Sequence, residues 1–292
     1  MLSVARATRP LPGSDGSLYF ASNRDGHAQV YRLSSAGAAP ARVLASKTRM
    51  VPHAHTPLGL LVREDSGGNE VWQLGLITES GYRALTADTK AVHQSVTLHP
   101  DRRRAGLGWN PGGQGDIVLG ELDLASGATT RWAEPGGFWQ WGAWNPDGTR
   151  AVVMKVLGTP TAAHTLERDG TLTRLLATAQ RVHPIAWHAE GILVLTDLQR
   201  DFLGLAVIDP DRPDAVERWL FDEDRDLEGV AIDDSGAKAA IVVNEGTFDG
   251  IRIIDLAEGR ELDRVVLPPG IVIADHSGDP DEIGRASCRE RV

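Results

Sequence analysis

A turn signature that returns every forty-odd residues constrains this chain more than any single side chain does. Its fullest copy is Trp144-Asn145-Pro146-Asp147-Gly148-Thr149-Arg150, followed by the apolar run from Ala151 to Val156. Pro146 fixes φ at the first turn position, Asp147 bonds to nearby backbone, and Gly148 accepts positive φ. The β-branched run behind it reads as a buried strand. Weaker copies are Ser14-Asp15-Gly16, Thr56-Pro57-Leu58-Gly59, His99-Pro100-Asp101-Arg102, His188-Ala189-Glu190-Gly191 and Asp233-Asp234-Ser235-Gly236. With 16, 59, 102, 148, 191 and 236 as anchors, the spacings are 43, 43, 46, 43 and 45 residues.

A second turn follows each anchor: Ala36-Gly37, Ser80-Gly81, Ser126-Gly127, Asp169-Gly170 and Glu258-Gly259, with Pro210 to Asp214 in the fifth copy. Strand-like stretches lie on both sides of it, so each copy reads as a meander. One such sheet exposes both faces and buries no core, so the copies must stack on one another. The period is that of a four-stranded propeller blade. The expected fold is therefore all-β, a β-propeller of four-stranded antiparallel blades, with six blades present and a seventh cut short. Residues 1–12 read as a lead-in and 13–281 as the propeller. The blades start near 16, 59, 102, 148, 191 and 236, and Asp279-Pro280-Asp281 opens the seventh.

Residues 282–292 stand apart. Ile283-Gly284-Arg285-Ala286-Ser287-Cys288-Arg289-Glu290-Arg291-Val292 has no strand pattern and carries the sole cysteine of the chain. It resembles the in-frame translation of a short-read sequencing adapter, so the expectation is an artefact and a natural protein that continues past 281. An incomplete last blade is then expected to weaken folding of the chain on its own.

The formal net charge of −10 argues against nucleic acid and against an anionic membrane surface, both of which need a basic face. No apolar run is long enough to span a bilayer, and residues 1–12 lack the apolar core of a signal peptide. With one cysteine no internal disulfide can form, and a cytoplasmic location is the expectation.

Motifs that carry chemistry are scarce. There is no G-x-S-x-G elbow, no P-loop and no G-x-G-x-x-G between strand and helix. No catalytic residue, no cofactor and no metal site is expected. His53 and His55 place two imidazoles one residue apart, without an acidic partner at ligand spacing. His99, Asn145, His188 and Asp233 each precede an anchor by three positions and read as polar turn residues.

The densest charge cluster is Asp222-Glu223-Asp224-Arg225-Asp226-Leu227-Glu228, between the fifth and sixth copies. It reads first as a solvated loop. As a substrate contact, Asp222, Glu223, Asp224 and Glu228 would hold a cationic group such as a peptide amine. Trp144 and Trp187 occupy equivalent repeat positions and read as packing between blades. Trp139 and Trp141 fall off the repeat pattern and read as an exposed rim, a candidate interaction surface.

Two stretches carry a family resemblance: Leu18-Tyr19-Phe20-Ala21-Ser22-Asn23-Arg24-Asp25-Gly26 with Gln29-Val30-Tyr31-Arg32-Leu33, and Leu227 to Ala231 through Val242-Val243-Asn244-Glu245-Gly246. They resemble the N-terminal propeller of prolyl-oligopeptidase-type serine peptidases, in the acylaminoacyl-peptidase and dipeptidyl-peptidase branch. The first stretch is also similar to TolB-like proteins. The resemblance covers residues 13–281. It implies a seven-bladed propeller that screens access to an α/β-hydrolase domain following it in sequence. That domain would be the partner of this one, the substrate a short peptide, and the catalytic triad would lie outside this chain. The family's propeller glutamate pair for the peptide amine maps onto no pair here.

Two other classes compete. A TolB-like propeller would be a protein-binding module, and such proteins usually carry a periplasmic signal. A metal-dependent propeller hydrolase would need carboxylates and Asn or His converging on one ion.

Overall fold

The computed structural model describes residues 6–113, 115–156, 161–233 and 235–265. The opening of a seventh repeat and the tail at 282–292 lie outside the described residues. The chain divides into two compact units, residues 1–136 and 137–292.

The first unit holds three sheets. They are β1 (Ala7–Pro12), β2 (Leu18–Ser22), β3 (Gln29–Leu33) and β4 (Ala41–Arg42); β5 (Arg49–Thr56), β6 (Gly59–Asp65), β7 (Gln73–Thr78) and β8 (Gly81–Ala84); and β9 (His93–Leu98), β10 (Arg104–Trp109), β11 (Val118–Asp123) and β12 (Thr129–Ala133). The second unit holds three more. They are β13 (Trp139–Trp144), β14 (Arg150–Val156), β15 (Thr161–Glu167) and β16 (Leu172–Arg174); β17 (Val182–His188), β18 (Gly191–Thr196), β19 (Gly204–Ile208) and β20 (Val216–Phe221); and β21 (Leu227–Ile232), β22 (Lys238–Asn244), β23 (Asp249–Asp255) and β24 (Glu261–Val265). Each sheet is a four-stranded antiparallel meander in chain order. Among the described residues no helix is long and apolar enough to cross a membrane.

The anchors of the repeat sit in the turn between the first and second strand or, at Gly59 and Gly191, on the first residue of the second strand, so every sheet begins one strand earlier than the sequence count placed it. Residues 7–12, read as a lead-in, are the first strand, with Ala7 opposite Ser22 and Pro12 opposite Leu18. The reason is chemical. The first strands mix prolines, histidines and tryptophans, as in Arg49–Thr56, and lack the alternation that marks a strand.

The turn residues at the anchors act alike. The Oδ1 atoms of Asn145 and Asp233 accept backbone amides across their turns, from Arg150 and Lys238 at 2.9 Å each. His99 Nδ1 accepts the Asp101 amide at 3.1 Å in the same place.

Every first strand also carries a register shift at the matching point, where one or two residues have no cross-strand partner. They are residues 9–10, His53, residues 95–96, Gly142, Ile185 and Glu228. A bulge re-aims the side chain it carries.

Cores lie between consecutive sheets. In the second unit Val152, Ala163 and Leu175 of the fourth sheet meet Ile192, Val194 and Ala206 of the fifth. Leu193, Leu195 and Leu205 of the fifth meet Leu227, Ile241 and Ile254 of the sixth. In the first unit Leu61, Leu74 and Leu76 meet Ala105, Leu107 and Leu122. Neighbouring positions on β18 and β19 serve opposite cores, which is why both strands are apolar throughout and buried on both faces.

Candidate functional site

The acidic run forms the connection from β20 into β21. Asp222, Glu223 and Asp224 are exposed, and Glu228 is half-buried on the bulge of β21. Part of the run is already engaged within the fold. Arg252, on β23, is 5% exposed and lies over the Phe221 ring at 5.5 Å. It donates to Glu223 Oε1 and Glu245 Oε1 at 2.7 Å each, and Glu261 stands at 3.6 Å. Arg225 reaches Glu245 Oε2 at 2.5 Å. The hydrogen bond from Arg252 holds the Glu245 carboxyl below its ordinary value; burial opposes this, and the charges of Arg252 and Arg225 add to it. Glu228 accepts from Asn244 Nδ2 at 3.1 Å. Asp226 accepts the Leu203 amide at 2.7 Å and ties the loop back to the fifth sheet.

Of the four carboxylates singled out in the sequence, Glu223 and Glu228 are therefore engaged inside the protein. Asp222 and Asp224 make no side-chain hydrogen bond or ion pair among the described residues. Two shallow depressions flank the network. One, of about 420 Å³, is lined by Phe202, Asp224, Arg225, Asp226, Asn244 and Glu245. The other, of about 200 Å³, is lined by Phe221, Asp222, Glu223, Arg252 and Glu261. This surface offers carboxylates and guanidinium groups side by side, suited to a ligand with both an amine and carbonyl or carboxylate oxygens. The residue that sequence reasoning missed is Arg252. The signal was available: a charged side chain inside Ile251-Arg252-Ile253-Ile254, where strand periodicity calls for an apolar one.

The exposed tryptophan rim is corrected. Trp139 and Trp141 are 3% and 0% exposed. Trp139 meets the His164 ring edge-on in the same sheet, with a centroid distance of 5.0 Å, and the Trp141 and Trp144 ring centroids lie 4.8 Å apart. Both belong to β13, the first strand of the fourth sheet.

Among the described residues no group of three His, Cys, Asp or Glu could hold a metal ion. His53 instead bonds the Val96 carbonyl through Nε2 at 2.8 Å, and His55 packs edge-on against Tyr19. Burial, with Arg63 adding, lowers the His53 pKa to about 3, against the opposing bond to Val96. An unfolded histidine takes its proton near pH 6.5, whereas folded His53 does not. Stability is thus complete above that pH and declines as the pH falls from about 6.5 toward 3. The thermal midpoint, followed from pH 7.5 to 4.5, is expected to fall more steeply in the wild type than in His53→Gln. Equal slopes would remove His53 from the account.

No protein-family model matches the chain, and no curated protein matches it. Solved structures do. The chain is similar to a prolyl endopeptidase analysed for inter-domain dynamics in catalysis and specificity, with a TM-score of 0.74 and 15% identity over 91% of this chain and 44% of that one. It is similar to a puromycin-hydrolysing peptidase of Mycobacterium tuberculosis, with a TM-score of 0.67 and 14% identity over 92% of this chain and 49% of that one. It is also similar to TolB from Acinetobacter baumannii, with a TM-score of 0.54 and 13% identity over 91% of this chain and 80% of that one. The chain spans about half the length of the two peptidases it matches. Similarity at these identities establishes the fold: the chain is a β-propeller of six four-stranded antiparallel blades.

Proposed function

We propose that this chain is the access-controlling propeller of a serine peptidase of the prolyl-oligopeptidase type, acting on short peptides. The observation that carries the reading is the pattern of coverage. Nine-tenths of this chain superposes on peptidase chains, yet it accounts for less than half of each. In this reading the remaining half of the natural protein is an α/β-hydrolase domain that performs acyl transfer through a serine. The propeller contributes no nucleophile; it limits which substrates reach one. Asp222 and Asp224, which have no side-chain partner among the described residues, are the carboxylates left to meet a peptide amine. Arg252, Glu223 and Glu245 hold the surface on which they stand.

The test is enzymatic. The product of the complete reading frame should cleave short chromogenic peptides and leave a folded protein intact. Asp222→Asn with Asp224→Asn should raise KM several-fold for peptides with a free amine and leave N-acetylated ones unchanged. A product that digests folded and short substrates equally well would overturn the access role.

A second reading has one observation in its favour: this chain spans 80% of TolB, more than of either peptidase. Under it the chain is a protein-binding module, and the complete frame would show no hydrolysis of peptides.

A further inference from the structure

Every fourth strand carries an arginine: Arg42, Arg83, Arg131, Arg174, Arg218 and Arg264. Two of them do the same work. Arg83 donates to the carbonyls of Leu124 at 2.7 Å and Ala125 at 2.9 Å, in the next blade's turn Asp123-Leu124-Ala125-Ser126-Gly127. Arg218 donates to the carbonyls of Leu256, at 3.0 Å, and Ala257, in the turn Asp255-Leu256-Ala257-Glu258-Gly259. The turns share the sequence Asp-Leu-Ala-x-Gly. The glycine lets the preceding blade approach: a Cβ on Gly127 would lie 2.7 Å from the Leu85 carbonyl oxygen.

In the fourth blade that place belongs to Thr173, which pairs through Thr165 with Val152 on the face toward the fifth blade, while Arg174 pairs through His164 with Val153 on the other face; the turn of the fifth blade is Asp209-Pro210-Asp211-Arg212-Pro213. Arg174 is exposed and makes no hydrogen bond or ion pair among the described residues. In place of the clamp a single backbone bond runs from the Leu176 amide to the Pro213 carbonyl at 2.6 Å, with Leu176 at φ 46°. Arg150 stands 3.5 Å from Asp211, whose side chain is 81% exposed. The core beneath is also lighter. Ala163, Ala179 and Ala206 pack there, whereas Leu193, Leu195, Leu203, Leu205 and Phe221 fill the core between the fifth and sixth blades. At the other end of both seams the stitch is alike: the Val182 amide donates to Thr161 Oγ1 at 3.1 Å, and the Leu227 amide to the Leu203 carbonyl at 3.2 Å.

We infer that the seam between the fourth and fifth blades is unlatched at its fourth-strand edge and opens there, hinged on the stitch at the start of β17, while the arginine clamp keeps the fifth and sixth blades shut. The inference does not depend on the proposed peptidase role. Charge-assisted bonds to two carbonyls correspond to about a tenfold or greater shift in a local opening equilibrium.

Hydrogen exchange read by mass spectrometry on the full chain tests it, with rates normalised to the unfolded peptide. Amides of 209–216 should be at least about tenfold less protected than those of 255–261. Arg218→Met should drop 255–261 by about tenfold, and Arg174→Met should leave 209–216 unchanged. Should Arg218→Met fail to fold, Arg218→Lys serves: it keeps the charge but cannot fork onto two carbonyls, and an intermediate loss is expected. Equal protection of the two turns in the wild type, or no loss at 255–261 in either variant, overturns the inference.

Discussion

Truncating Trp141 to alanine is expected to cost about 4 kcal/mol in a denaturant titration, within the range of about 3–5 kcal/mol for losing a buried aromatic. Trp141 is wholly buried beside Trp144 in β13, so the void cannot be filled by solvent without wetting a core. A domain has only about 5–15 kcal/mol to lose, so the variant should be partly unfolded near 37 °C. Trp141→Phe keeps most of the volume and should lose less than half as much. The measurement separates two roles for the same side chain. A partner-binding tryptophan on an open rim could be truncated at a cost below about 0.5 kcal/mol, and a loss that small would restore the reading made from sequence.

Replacing Arg252 by methionine is the second large effect. The substitution leaves volume and apolar stem nearly unchanged but strands Glu245, which also faces Glu261, against a partly desolvated surface. Removing one member of a buried charge pair costs about 3–5 kcal/mol. Glu223 is 47% exposed and Glu245 17%, so water screens part of the remaining charge, and about 3 kcal/mol is the expected loss. Two further readouts tie the loss to electrostatics. Adding Glu245→Gln to Arg252→Met should recover part of it. In the wild type the depressed Glu245 contributes stability above its unfolded value of 4.5 and loses it as the pH falls through the lower folded value. Below pH 4 the gap between wild type and Arg252→Met should therefore narrow. A gap that stays constant with pH would mean that packing, not charge, sets the cost.

The repeat made the architecture legible because turn chemistry is local. Pro146-Asp147-Gly148 specifies its turn without reference to anything distant, and six anchors at near-constant spacing imply one sheet each. Second, third and fourth strands followed from that spacing. First strands did not, because their residues answer to neighbouring blades. Gly142 shows why: a Cβ there would lie 2.7 Å from the Val152 carbonyl and 3.2 Å from Pro184 of the next blade. Such positions are fixed by contacts that no local pattern encodes, and the same holds for His53, which meets the Val96 carbonyl of the next blade.

The candidate site was half legible for a related reason. A run of acidic residues is visible in sequence, but its counter-ions are not adjacent to it. Arg252 lies 29 residues from Glu223 and meets it only because β23 passes behind the loop. Counting charge along the chain therefore overstated the free negative surface, which narrows to Asp222 and Asp224.

The direct test of the central functional claim is the nucleotide sequence of the gene beyond codon 281. The account predicts an open frame that completes another blade and then, within a few hundred codons, encodes a serine in G-x-S-x-G after a strand. A stop codon within the length of one blade, with no hydrolase sequence following, would contradict it.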